Sequence, residues 1–208
     1  MNDEQGRVPH GEFLPADRLE EHARALGAGW SVVPKGGGRH VLGRLRANLP
    51  ELRRAYRALV SDVRSGEPST PAGEWLLDNF HLIEAEVRGV RHDLPGAYNR
   101  ELPRLVGPEH GGAARVEVLA KELVLRSDAR LDAARIEKFL TAFQTATPLT
   151  LAELWAWPSF LRAALVEHLR LLADQILEIR AERLRADALL ARLASGAAPL
   201  PPDPVPAA

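Results

Sequence analysis

The sequence predicts an all-α fold, a helical bundle of about five to seven helices with disordered tails. Three observations carry this. Apolar residues recur at steps of three and four over long windows, which puts them on one face of a helix. Aromatic residues make up only 5% of the 208-residue chain, while Leu, Ala, Arg and Glu abound; unbranched side chains lose little rotamer freedom in a helix. No stretch alternates apolar and polar residues long enough to build a sheet. The expected organisation is a disordered N-terminus over 1–12, an all-α helical domain over 13–194 and a Pro-rich tail or linker over 195–208.

In chain order, the first helix is read in PADRLEEHARALG, with Asp17 near its start and Gly27 as its C-terminal stop. AGWSVVPKGGGRH follows as a loop. Its three glycines lack both the Gly-Lys-Ser/Thr continuation and the preceding strand of a phosphate-binding loop. From Val41 to Arg64, Leu42, Leu45, Leu49, Leu52, Tyr56, Leu59 and Val63 form one helical stripe. Pro50 removes a backbone donor inside it, so a kink or break is expected near Asn48, with Asn48 capping a new helix. Thr70 and Pro71 mark the next start, a hydroxyl cap followed by a residue whose missing donor does no harm.

Leu76, Phe80, Ile83, Val87, Val90 and Leu94 then make a heptad-like seam, with Glu84 and Arg88 as an i,i+4 pair on the polar side. DLPG ends that helix, because residues before proline avoid helical angles. Helices follow over about 115–125 and 132–145, the second capped by Asp132. Thr150 and Glu153 match a capping box. The helix they open bends at Pro158 and runs through Leu161, Leu165, Leu169, Leu172, Ile176 and Ile179 to about Leu193.

Charge and composition narrow the function classes. The 27 basic and 28 acidic residues are interleaved, unlike the one-sided basic excess of a nucleic-acid binder, so no nucleic-acid partner is expected. The absence of cysteine excludes disulfides, thiolate metal sites and Cys nucleophiles. The opening MNDEQGRVPHGEF does not read as a signal peptide. The most apolar run, LAELWAWPSFLRAALV, is interrupted by Glu153 and Arg162 and falls short of the roughly 18 residues a membrane span needs. No direct membrane span is expected, and the chain by itself is expected in the cytoplasm.

Candidate chemistry is sparse. Asp78, Glu84, Glu86 and Asp93 are the densest acidic set. Glu84 and Glu86 point about 200° apart on a helix, and Glu86 and Asp93 lie two turns, about 10 Å, apart, too far to share one ion. The bland reading is a solvated face paired with Arg88 and Arg91. None of the seven histidines forms a metal-binding pattern, and neither Ser127 nor Ser159 sits in a nucleophile elbow. No catalytic residue, metal or cofactor is assigned. Trp155 and Trp157 face different sides of their helix, so one of them is core and the other a candidate sugar platform. The remaining candidate face comprises Trp75, Asp78, Asn79, Glu84, Asp93, Tyr98, Glu101, Trp155 and Trp157. Within it, Asp78, Asn79, Asp93, Tyr98 and Glu101 are read as a polar network bracing the DLPG corner.

Four co-linear segments carry a family resemblance: FLPADRLEEHARALG, LPELRRAYRALVSDVRSGEPSTPAGEWLLDN, EWLLDNFHLIEAEVRGVRHDLPGAYNRELPRL and KFLTAFQTATPLTLAELWAWPSFLRAALVEHLRLLADQI. Together they resemble the N-terminal region of bacterial cyclic β-1,2-glucan synthases of the glycosyltransferase family 84 type, from about Phe13 to about Ile179. The chain departs from the family pattern at Ala97, Tyr98 and Asn99, at Arg126 and at His168. The resemblance implies a large inner-membrane enzyme that polymerises glucose from UDP-glucose into cyclic β-1,2-glucan. It implies that this chain is the helical module without the catalytic regions, whether a fragment, a truncated product or a stand-alone relative. The leading expectation is a non-catalytic assembly or scaffold module whose partner is the remainder of a glucan synthase, associated with the inner membrane. The alternatives are a module binding β-1,2-glucan or UDP-glucose, a stand-alone helical interaction protein, and a small helical enzyme using Asp78, Glu84 and Asp93.

Overall fold

The helix starts at which the sequence places a local cap are the starts the protein uses. Thr70 Oγ1 accepts from the Gly73 N–H at 3.1 Å, and Pro71 opens the helix. Asp132 Oδ1 accepts from the Arg135 N–H at 2.8 Å. Thr150 and Glu153 form the reciprocal capping box, with Glu153 N–H donating to Thr150 Oγ1 at 3.2 Å and Thr150 N–H donating to Glu153 Oε2 at 2.9 Å. The computed structural model describes residues 13–34 and 41–195. The expectations for 1–12, for the three-glycine loop and for the tail beyond Ser195 lie outside the described residues.

Among the described residues the order is α1 Ala16–Gly29, β1 Val32–Val33, α2 Val41–Ser65, α3 Pro71–Asp93, α4 Gly96–Glu101, β2 Arg104–Leu105, α5 Arg115–Arg126, α6 Ala133–Ala146 and α7 Leu151–Ala194. The expected all-α class holds, with seven described helices. α7 is the spine: α2, α3 and α5 pack on it, α2 packs on α3, and α1 packs on α6. The predicted α3 seam is buried throughout, from Leu76 to Leu94.

Three expectations are corrected. Gly27 does not end α1, which runs to Gly29. Instead α6 crosses there so closely that a Cβ on Gly27 would lie 2.8 Å from the Phe143 carbonyl oxygen and 3.0 Å from Ala146 Cβ. Asn48 is not a cap. α2 is continuous through Pro50, and Asn48 is buried on its inner face. A helix-interior proline costs about 3 kcal/mol, but Leu45, Leu49, Leu52 and Leu59 are all buried across it, each worth about 1.5–3 kcal/mol. Packing therefore outweighs the local penalty.

α7 likewise passes Pro158 as one helix, and its buried face is not the predicted leucine stripe. Ala156, Trp157, Phe160, Ala163, Ala164, Val166 and Ala173 face inward, while Leu172 and Ile179 are exposed. Small residues let three helices approach one axis; the leucines pack at the margin or face solvent. A short ribbon also exists. β1 pairs antiparallel with β2, Val32 opposite Leu105 and Val33 opposite Arg104. Two-residue strands leave no alternation to read.

Two contacts lock the bundle. Buried Arg115, at the start of α5, donates through Nε and Nη2 to the two carboxylate oxygens of buried Glu153 at 2.9 and 2.6 Å, and through Nη2 to the Pro148 carbonyl at 2.9 Å. At the other end, Asp62 on α2 accepts two hydrogen bonds from Arg180 on α7, both at 2.6 Å.

Two stability outcomes follow, both read by urea denaturation. Gly27→Ala lowers stability by about 1–3 kcal/mol, the range for overpacking, although alanine favours the helix more than glycine does. Glu153→Gln leaves Arg115 as an uncompensated buried charge and lowers stability by about 3–5 kcal/mol.

Candidate functional site

α3 separates the residues the sequence suggests as one face. Asn79 and Asp93 are fourteen positions apart on one continuous helix, about 21 Å at 1.5 Å per residue. Trp75, Asp78 and Asn79 therefore lie toward one end of α3, and Asp93, Tyr98 and Glu101 at the other. Asp78 and Asp93 are fifteen positions apart, about 22 Å, so the two carboxylates of the enzyme reading do not share a centre.

Each residue has its own local role. Asn79 Nδ2 donates to the Trp75 carbonyl one turn back, at 2.8 Å. Trp75 is half-exposed and Asp78 is exposed. Glu84 accepts from Arg53 Nε and Nη2 at 2.9 and 2.7 Å, an inter-helix contact with α2 instead of the expected pairing with Arg88. Glu101 is exposed. Trp157 is in the core, and Trp155 is 75% exposed.

The DLPG corner is braced, but by α7. Asp93 accepts from Arg162 Nη2 and from Ser159 Oγ, the latter at 3.5 Å. Arg162 Nη1 also donates to Glu86 at 3.4 Å. The hydrogen bond from Arg162 holds the Asp93 carboxyl below its usual range. Tyr98 donates its hydroxyl to the Ala152 carbonyl at 2.5 Å. Desolvation raises that phenol.

The polar groups the fold does bring together lie elsewhere, around a cleft of about 300 Å³ between α5, α7 and the loop before α5. Its apolar walls include Val118, Leu125, Ala164 and Leu171, and its rim includes Arg44, Lys121, Glu167, His110 and His168. Lys121 Nζ is 2.9 Å from Glu167 and 3.4 Å from buried Glu117. Arg44 lies 3.6 Å from Glu167 and 3.7 Å from Glu117. The four charges sum to zero and tie α2, α5 and α7 together.

On the other wall, His22 on α1 meets Glu122 at 2.9 Å. Burial would raise the Glu122 carboxyl, but the hydrogen bond and charge of His22, with Arg126, outweigh it and hold it low. Burial lowers the His168 imidazole, against the opposing charge of Asp128. Among the described residues no group of three or more His, Asp or Glu is placed to hold a metal ion. The i,i+4 spacing of Glu117 and Lys121 was a visible signal of half this network. The Glu167 half joins residues far apart in sequence and left none.

Double-mutant cycles in urea separate the expected corner network from the observed one. The Asn79→Ala/Tyr98→Phe cycle shows no coupling, because Asn79 lies about 21 Å along α3 from its last residue, Asp93, and Tyr98, on α4 past that end, is bound to Ala152 instead. The Asp93→Asn/Arg162→Gln cycle shows coupling that weakens as salt is raised.

Among the described residues no helix is long and apolar enough to cross a membrane. No family model matches the chain. Over 144 residues, 69% of its length, the chain is 38% identical to the cyclic beta-(1,2)-glucan synthase NdvB of Rhizobium meliloti (strain 1021). The stretch it matches is 5% of that protein, so the chain spans a small part of its relative. The resemblance read from the four segments thus holds over most of the chain, which is similar to one region of a cyclic β-(1,2)-glucan synthase.

Proposed function

We propose that this chain is a non-catalytic helical module that docks on, and helps assemble, machinery for making cyclic β-1,2-glucan. The observation that carries the reading is the 38% identity to part of a glucan synthase. The geometry supports it. Charged groups of α2, α3, α5 and α7 pair with one another across helix boundaries, as a scaffold's would. Meanwhile the first turns of α7 expose Leu151, Leu154, Trp155 and Pro158. Their i, i+3, i+4, i+7 spacing makes one continuous apolar stripe, and such surfaces mark contact sites. In this reading the partner is the remainder of a family 84 glycosyltransferase at the inner membrane. That remainder, not this module, handles UDP-glucose.

A second reading, a saccharide-binding face, is favoured by one feature. A groove between α2 and α3 sets Arg53, Arg57, His81 and Glu84 beside the Tyr56 ring, and hydroxyl-rich ligands suit such a mix of charges and ring face. Calorimetry with β-1,2-glucan and with UDP-glucose decides it; no heat with either removes the reading.

The assembly reading is tested in a full-length synthase carrying this region. Deleting the region, or introducing Leu151→Glu with Trp155→Glu, is expected to cut the yield of assembled membrane enzyme and of cyclic glucan several-fold. Normal assembly and normal product in both variants would sink it.

A further inference from the structure

α7 outruns the bundle it organises. It has 44 residues and α2, its longest packed neighbour, has 25, about 66 Å against about 37 Å. Arg183 still donates to the Pro68 carbonyl at 2.8 Å. From Leu184 to Ser195 the side chains are exposed, Arg192 excepted. That stretch is not polar: Leu184, Leu189, Leu190 and Leu193 are 39, 41, 63 and 56% exposed. A lone helical end gains little from such leucines in water, since helices are held chiefly by burying an apolar face.

The spacing shows what kind of surface covers them. Leu169, Leu172, Ile176 and Ile179 step by three, four and three. The same alternation continues through Arg183 and Ala186 to Leu190 and Leu193. This is an unbroken heptad seam, the pattern of a helix that packs on another helix. Leu169 and Ile176 pack partly against the core of their own bundle, whereas Leu172, Ile179, Leu190 and Leu193 are exposed.

We propose that the occupant is a second copy of this chain, its α7 antiparallel to the first. The seam carries a socket and its matching knobs at different heights. The socket is a groove of about 190 Å³ where Ile176 and Ile179 meet Leu59, Pro68 and Ala72. The knobs are the exposed Leu190 and Leu193. An antiparallel pair crossing between Arg183 and Ala186 sets Leu193 of one copy on Ile176 of the other, and Leu190 on Ile179. It sets the long Arg183 side chain against the small Ala186. Every contact occurs twice, so the assembly closes with two-fold symmetry.

Charge selects this direction. The antiparallel register brings Asp187 of each copy to the level of Arg180 and Arg183 of the other, cations that in their own bundle also hold Asp62 and the Pro68 carbonyl. A parallel pair would stack Arg183 on Arg183 and place Glu182 beside Asp187, like charges in both places. The contact spans residues 176 to 193, about 26 Å of helix, and belongs to the small class of interfaces, under about 1,200 Å². Association is therefore concentration-dependent. Both helices are preformed by their bundles, so no helix nucleation opposes it.

Sedimentation equilibrium on the purified chain is expected to show the mass rising with concentration from 22.8 kDa to twice that value. Leu190→Glu/Leu193→Glu is expected to stay monomeric with unchanged helical circular dichroism and melting. The chain has no cysteine, so single spin labels at Gln175→Cys or Arg185→Cys report direction. Antiparallel helices place the two labels at 175 about 28 Å apart along the axis and those at 185 side by side. A mass of 22.8 kDa at every concentration overturns the proposal. Equal label separations at both sites, or a dimer that survives the double variant, overturn it as well.

Discussion

The buried pair of Arg115 and Glu153 is the constraint on which the rest of the bundle depends. Removing two charges from water costs several kcal/mol per ion, and is offset only when geometry and additional hydrogen bonds are good. Here they are. Both carboxylate oxygens accept from the guanidinium. Glu153 also accepts from the Thr150 N–H and hydroxyl, Arg115 reaches the Pro148 carbonyl, and its guanidinium lies 5.7 Å from the centre of the Phe143 ring. One side chain thus caps α7 and ties it to α5. That fixes where α7 begins and which way it is turned about its axis.

The consequences run along the whole helix. With Glu153 turned inward, Ala156, Phe160, Ala163, Ala164 and Ala173 face the bundle as well. The small residues let α2, α3 and α5 lie close to α7, and the larger leucines fall to the edge. Two further charged contacts hold the same rotation, Arg162 to Asp93 in the middle and Arg180 to Asp62 beyond it. The hydrogen bond from Arg180 lowers the Asp62 carboxyl below its ordinary value of 3.8, against the opposing effect of burial. Asp62 therefore binds fewer protons folded than unfolded near that value. The stability it adds is complete above its ordinary pKa and is lost as pH falls through the lowered one.

This arrangement supports the assembly role proposed above. The described carboxylates that face other helices are matched by cations of those helices. Two exposed apolar surfaces lie toward opposite ends of α7. One end presents Leu151, Leu154 and Trp155, the other Leu190 and Leu193. A helix of about 66 Å with an exposed apolar surface near each end would, under these proposals, hold two bodies at a set distance. That is compatible with similarity to a small region of a very much longer glucan synthase.

What the sequence determined by itself is local. Thr70 with Pro71, Asp132, and Thr150 with Glu153 each satisfy backbone donors within three residues, so the signal and its partner sit in the same short window. The α3 seam was equally legible, because its 3–4 spacing is a property of one helix. Only the tertiary structure decided the rest. Gly27 reads as a stop until α6 crosses against it. Pro50 reads as a break until the leucines on both sides of it share one core. The candidate face read from Trp75 to Glu101 divides because a straight helix carries its two halves about 21 Å apart. The partner of Arg115 stands 38 residues away, and that of Arg180 stands 118 away. Such contacts depend on how finished helices meet, and no periodicity within one helix encodes the face of another.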